Sequence, residues 1–187
     1  MNDLVIMKNE KKNECVDQEE FNSWMRVNHA GEHGAVQIYK GQLFILGADP
    51  AITHMLDQEY KHLRFFNHYL VEKKIRPSYL MPFWHIGGFF MGALTAFAGR
   101  NVAHACTSAV ETVIDEHYAH QVHVLSQSQN VDEKKLADTL EEFREEECQH
   151  KGIANSESET NLKAKFPVTT SLIENITKFA IQCARSI

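Results

Sequence analysis

A chain of 187 residues with 43% hydrophobic content is long enough to bury one substantial core and too short for two comfortable domains. Its formal net charge of −6 offers no general electrostatic grip on nucleic acid. The four cysteines, Cys15, Cys106, Cys148 and Cys183, lie far apart with no CxxC, which argues against a zinc knuckle or redox dithiol and reads as buried thiols in a reducing compartment.

Residues 1–16 lack an apolar core of signal-peptide length and are too acidic and Arg-poor for a mitochondrial transit peptide. They read as a flexible segment ahead of a single domain over 17–187, in a bacterial cytoplasm. Asp17 followed by Glu20 predicts a capped helix start, and the helical pattern runs to Gly47. Asp49-Pro50 restarts it, and Lys73, Lys74 and Pro77 close this second helix. Residues 79–98 read YLMPFWHIGGFFMGALTAFA, with no charge and several aromatics. A fourth helix is predicted over about 101–127 and a fifth from near Asp132 to near Asn155. Ser156 to Pro167 reads as a polar linker, followed by an amphipathic helix from about Ser171 to Ser186. No stretch reads as a strand network, so the fold class is all-α.

The informative residues are those that interrupt the apolar stripes. On the first helix the stripe is Phe21, Met25, Asn28, Glu32, Ala35, Tyr39, Leu43, Leu46, with Glu32 in its middle. On the second, Glu59 and His62 share the core face with Ile52, Met55, Phe66 and Leu70. The fourth helix repeats the first, with Glu111 amid His104, Thr107, Ile114, Tyr118, Val122 and Leu125. The fifth repeats the second, with Glu147 and His150 amid Leu136, Leu140, Phe143 and Ala154. Four carboxylates converging in one core cannot all stay ionised without compensating cations. Two divalent metals would balance them, the di-iron or di-manganese pattern of ferritin-like bundles.

Glu-x-x-His alone is a weak motif, with about one match expected by chance in such a composition. The joint condition is stronger: both matches lie on core stripes, and each is preceded one helix earlier by a lone stripe Glu. His54, His68, His85, His120 and His123 read as solvated, capping or core residues. Glu141, Glu142, Glu145 and Glu146 read as a solvated face, although Glu146 is four residues from His150 and competes for the ligand role.

MRVNHAGEHGAVQIYKGQ, LDQEYKHLRFFN, RPSYLMPFWHIGGFFMGALTA, CTSAVETVIDEHYAHQ and FREEECQHKGIA are similar to successive blocks of the demethoxyubiquinone hydroxylases of ubiquinone biosynthesis. The resemblance runs from about Phe21 to the C-terminus. It implies a ferritin-like four-helix bundle with an additional apolar interfacial helix and a C-terminal helix. It also implies two iron ions per chain on Glu32, Glu59, His62, Glu111, Glu147 and His150, the six residues of the stripe argument. The family commonly has Asp where Asn28 stands and Tyr where His33 stands, which removes no ligand. The implied activity is O2-dependent hydroxylation of a polyprenylated methoxy-methyl-benzoquinol, with electrons from NADH or from the quinol itself. No Rossmann-type glycine fingerprint is present to bind a nicotinamide tightly. The implied setting is peripheral, on the cytoplasmic face of a bacterial inner membrane or, alternatively, the matrix side of the mitochondrial one. A homo-oligomer or a biosynthetic complex are the assemblies it leaves open. An iron store would use the same ligands but has no use for the apolar third segment; a non-enzymatic membrane protein would leave the carboxylates unexplained.

Three further residues are catalytic candidates. Asp115, one turn beyond Glu111, is expected to accept the second N–H of a ligand histidine. His117 and Tyr118 follow it, and Tyr118 lies on the stripe, where substrate contact, electron relay and plain packing all stay open. Residues 79–98 are expected to dock on the membrane surface and form the mouth for the quinol. Phe83, Trp84, Phe89 and Phe90 would insert into one leaflet, while Pro82, Gly87, Gly88 and Gly92 interrupt the segment and oppose a full span.

Overall fold

Residues 16–157 and 165–186 are described by the computed structural model of this chain. Among them run six helices and no strand: α1 (Gln18–Leu46), α2 (Pro50–Lys73), α3 (Met81–Phe97), α4 (Arg100–Ser126), α5 (Val131–Glu157) and α6 (Pro167–Ser186). The expected N-terminal segment, through Cys15, and most of the expected linker, 158–164, lie outside the described residues.

Local chemistry fixes the helix ends. The Asp17 carboxylate accepts from Glu19 N at 3.2 Å, and Gly47, at φ 75°, closes α1 through a bond to Leu43 O. Asp49 caps α2 by accepting from Ala51 N and Ile52 N, with Pro50 in the first turn, where no N–H is needed. Its other oxygen takes the Arg100 Nε at 2.8 Å, tying this turn to the start of α4. The last helix begins at Pro167, ahead of the expected Ser171, because proline suits a first turn as well as a linker.

Side-chain pairs give the helix directions. Tyr39 meets Met55 and His29 meets Asn67, so α1 and α2 are antiparallel. Asn28 meets Gln121 and Tyr39 meets Glu111, so α1 and α4 are antiparallel too. His62 meets Glu146 and Gln58 meets His150, which sets α2 against α5 in the same sense. It follows that α2 and α4 point the same way, and the chain must return the length of the bundle between them. The 17-residue α3 makes that return over about 25 Å, at ~1.5 Å of rise per residue.

Helix α3 is held to α1 backbone to backbone. Its buried residues are Gly88, Gly92 and Ala96. A Cβ on Gly88 would sit 2.8 Å from Gly34 O, while one on Gly92 would collide with Ile38 O and one on Gly41 with Phe89 O. Gly88 and Gly92 are therefore the contact surface of α3, where the sequence suggested interruptions. Gly87 faces open space. The opposite face is apolar and exposed, with Phe83 at 69% and Phe97 at 80%, and Ile86, Phe90 and Leu94 between them. Two of the four aromatics expected to insert into lipid are half-buried: Trp84 packs with Val27, Ala30 and Ala184, and Phe89 lies against Phe44, itself exposed. Val168, Leu172, Ile176 and Phe179 of α6 extend the exposed apolar surface. No helix among the described residues is long and apolar enough to cross a membrane.

Helices α1, α2, α4 and α5 form the bundle, and its main apolar cluster also takes in Ile173 of α6. Of the thiols, Cys106 is buried as expected, but Cys148 is exposed and Cys183 half-buried.

Candidate metal centre

Six side chains meet at the bundle centre, each at most 1% exposed: Glu32 from α1, Glu59 and His62 from α2, Glu111 from α4, Glu147 and His150 from α5. The three-residue spacing within α2 and within α5 puts carboxylate and imidazole on one face. Two groups result, Glu32, Glu59, His62, Glu147 and Glu59, Glu111, Glu147, His150, each with ligand atoms within 4.8 Å of one another. Glu59 and Glu147 belong to both groups. They occupy the shared middle, with one Glu and one His at either end.

Both imidazoles turn Nδ1 inward. His62 Nδ1 is 3.0 Å from Glu147 and 3.4 Å from Glu32; His150 Nδ1 is 3.0 Å from Glu147 and 3.2 Å from Glu59. The outer nitrogens are engaged elsewhere, His62 Nε2 with Glu146 at 2.7 Å and His150 Nε2 with Gln58 at 3.1 Å. With Nε2 donating to these oxygens, each imidazole in its neutral form would offer the Nδ1 lone pair to a metal. The end carboxylates are held by phenols from the opposite helix: Tyr39 donates to Glu111 at 2.8 Å, and Tyr118 donates to Glu32. Burial first, then the facing carboxylate, raises both phenol pKa values, so both remain donors.

The electrostatics of the bare protein show what the cluster lacks. Burial, reinforced by Glu147 and its neighbours, raises the Glu59 and Glu111 carboxyls well above the ordinary range. Burial alone would lower His62, but Glu147 and Glu32 outweigh it and push its pKa up to about 12. Glu147 moves the opposite way, because hydrogen bonds from His150 and His62 overcome its own desolvation. Protons thus stand in for missing positive charge. Glu32 Oε2, both Glu59 oxygens, Glu111 Oε2, Glu147 Oε1 and His62 Nδ1 are buried and crowded together without a well-aligned hydrogen bond. Such a set of convergent carboxylate oxygens and imidazole nitrogens fits a pair of oxygen- and nitrogen-preferring cations.

A cavity of about 560 Å³ lies between α1, α3, α4 and α6. Its lining runs from Glu32 and Tyr118 at the buried end to Phe83, Phe90, Leu172 and Ile176, all exposed apolar residues, at the outer end. Of the six clustered residues only Glu32 lines it. Apart from Glu32, two residues along its wall bear a buried polar atom with no hydrogen-bond partner, Trp84 at Nε1 and His117 at Nε2. Burial, with Arg185 and His120 nearby, lowers the His117 pKa to about 4.

Comparison with known proteins agrees with this architecture. The family model described as ubiquinone biosynthesis protein COQ7 matches residues 19–184. The chain belongs to the COQ7 family. It is 40% identical over 169 residues to a bovine protein named NADPH-dependent 3-demethoxyubiquinone 3-hydroxylase, mitochondrial, spanning 89% of this chain and 77% of the relative. It is 42% identical over 162 residues to a Rhodospirillum rubrum 3-demethoxyubiquinol 3-hydroxylase, spanning 84% and 74%. A Saccharomyces cerevisiae protein named 5-demethoxyubiquinone hydroxylase, mitochondrial, is 36% identical over 179 residues, spanning 87% and 76%.

Within this family member, Asp115 does not support a histidine. Its carboxylate accepts from Arg144 Nε at 2.7 Å and lies 3.8 Å from Lys151 Nζ, because the turn beyond Glu111 rotates it toward the flank of α5. The supporting residues are Glu146 and Gln58, each directly before a clustered Glu, and Glu146 is a histidine partner outside both metal-holding groups. Sequence reasoning also passed over Tyr39 as a carboxylate partner, although it follows Glu32 at the seven-residue interval by which Tyr118 follows Glu111. Asn28, where the family commonly has Asp, forms a reciprocal amide pair with Gln121, 2.8 Å each way, which keeps this position neutral and satisfied. His33, the other departure, meets His85 of α3 at 3.1 Å.

Proposed function

We propose that this chain hydroxylates a demethoxyubiquinol-type ring in ubiquinone biosynthesis, using two iron ions held by Glu32, Glu59, His62, Glu111, Glu147 and His150. The observation that carries this reading is a cavity leading from exposed apolar lips to Glu32 of the buried carboxylate cluster. Bound iron would supply the redox activation of O2 that ring hydroxylation requires. One oxygen atom is inserted into a ring C–H bond to give C–OH, the other leaves as water, and the two electrons and two protons this needs come from a reductant and solvent. NADPH is the first donor to try, since it appears in the names of the bovine and Dictyostelium discoideum relatives.

The protein's own part is to orient and to exclude water. Glu59 and Glu147, common to both groups, would help hold both ions, the phenols of Tyr118 and Tyr39 restrain Glu32 and Glu111, and apolar walls guide the ring while the prenyl tail stays in lipid. The lipid contact is the joint outer face of α3 and α6, with Phe83, Phe90, Phe97, Leu172, Ile176 and Phe179 partly immersed in one leaflet. An iron-storing role leaves the cavity and these exposed side chains unexplained.

The deciding experiment incubates iron-loaded protein with demethoxyubiquinol, O2 and NADPH and seeks a product heavier by one oxygen atom. Full iron loading without that product under any reductant overturns the reading. Iron content should fall in Glu59→Ala and in Glu147→Ala, and an unchanged value in either removes that residue from the ligand set.

A further inference from the structure

The two halves of the bundle repeat one another position for position at most of the site. α1 carries Asn28, Glu32, Tyr39 and Gln42, and α4 carries Thr107, Glu111, Tyr118 and Gln121 at the same spacing. Each tyrosine bonds the other helix's glutamate. Each glutamine reaches the other helix's first member: Gln42 is 3.4 Å from Thr107 Oγ1 and Gln121 is 2.8 Å from Asn28 Oδ1. α2 and α5 repeat likewise, with the residue before each clustered Glu crossing to the outer nitrogen of the other helix's histidine.

The repeat breaks at that crossing. Behind His62 stands a carboxylate, Glu146, at 2.7 Å; behind His150 stands a neutral amide, Gln58, at 3.1 Å. A hydrogen bond to a carboxylate is shorter and stronger than one to an amide, and it transfers more electron density to the inner nitrogen. Glu146 is about one-third exposed, so its charge is partly screened, but the direct N–H···O contact is not. Among the described residues the Nε2 of the fully buried His150 meets only this amide.

We infer that the two metal positions are chemically inequivalent: the Glu32–His62 position, backed by Glu146, binds more tightly and favours the more highly charged ion than the Glu111–His150 position, backed by Gln58. This rests on the di-iron reading above. The tighter position is also the one whose glutamate lines the cavity. Glu146 and Gln58 are thus positioning residues that act through the imidazoles, giving a nearly symmetric cluster a strong and a weak end.

Stepwise anaerobic titration of metal-free protein with ferrous iron, followed by Mössbauer spectroscopy, tests this. Wild type should fill one position first and show two distinct quadrupole doublets at two equivalents. Glu146→Gln keeps the shape and a hydrogen bond but removes the charge; it should weaken the first step by about 10–100-fold and draw the doublets together. Gln58→Glu should tighten the second step, and the double exchange should restore two unequal steps. Equal steps in wild type, or stepwise affinities unchanged in Glu146→Gln with its melting temperature retained, overturn the inference while leaving two bound irons. A wild type that binds no iron overturns the di-iron reading itself, and the inference with it.

Discussion

A carboxylate that must bind metal yet be buried needs a donor on its free oxygen, and Tyr118 and Tyr39 supply one each. Removing such a donor leaves a buried acceptor short of a partner, at a cost of about 1–3 kcal/mol. Tyr39→Phe should therefore lower the stability of metal-free protein by that amount in a denaturant melt. Tyr118→Phe should keep its iron but turn over more slowly, because the loosened Glu32 borders the cavity; product formation measured beside iron content checks this, and full activity would reduce Tyr118 to a packing role. His117 carries a pH signature. Its folded-state pKa, lowered to about 4 chiefly by burial, lies below the ordinary value of 6.5, so the unfolded chain takes up the proton first as pH falls. Its contribution is undiminished above about pH 6.5 and turns progressively destabilising between there and pH 4, by up to about 2 kcal/mol at pH 5. Melts of wild type and His117→Gln across pH 5–7 should differ in slope in that sense.

At the scale of elements, α1 and α3 cross backbone against backbone. Gly92→Ala puts a methyl group into the Ile38 carbonyl and should cost more than about 3 kcal/mol or abolish folding. Gly87→Ala, one residue from the crossing but facing open space, should be neutral or stabilising by about 0.5–1 kcal/mol through helix propensity. A thermal melt of the two variants separates steric from conformational roles of glycine. The same helix marks the limit of what was legible in the sequence. Stripe periodicity identifies which residues face a core, and so it found all six clustered residues and five helix starts to within a residue or two. It does not say which helix lies opposite. Asp115 was for that reason assigned to a histidine when Arg144 was its neighbour, and Glu146 and Gln58, about a quarter-turn off their stripes, could not be matched to the imidazoles they cross to meet. Glycines in α3 read as breaks because their value lies in a partner backbone invisible to local pattern.

Considered whole, the molecule is a pair of similar helical hairpins, α1–α2 and α4–α5, made one-sided by α3 and α6, which cover the flank where Glu32 and Tyr118 lie. That flank also bears the exposed apolar residues. Replacing Phe90 and Phe97 with Ser should release the protein from liposomes and slow turnover of long-tailed substrate without changing iron content. Co-sedimentation equal to wild type would exclude this face as the docking surface.

The glycine crossing has a mechanical consequence for that flank. Where two backbones touch, no side chain remains between them to change rotamer, so α1 and α3 have no slack and move as one body. On the other side of the cavity α6 presents Leu172, Ile173, Ile176 and Thr177, which can rotate and slide. Of the two banks of the channel, one is fixed and one is compliant. Passage of a substituted ring should therefore be accommodated by α6, and amide hydrogens of α6 should exchange with deuterium faster than those of α3, with α6 the helix that slows when a quinol analogue is bound.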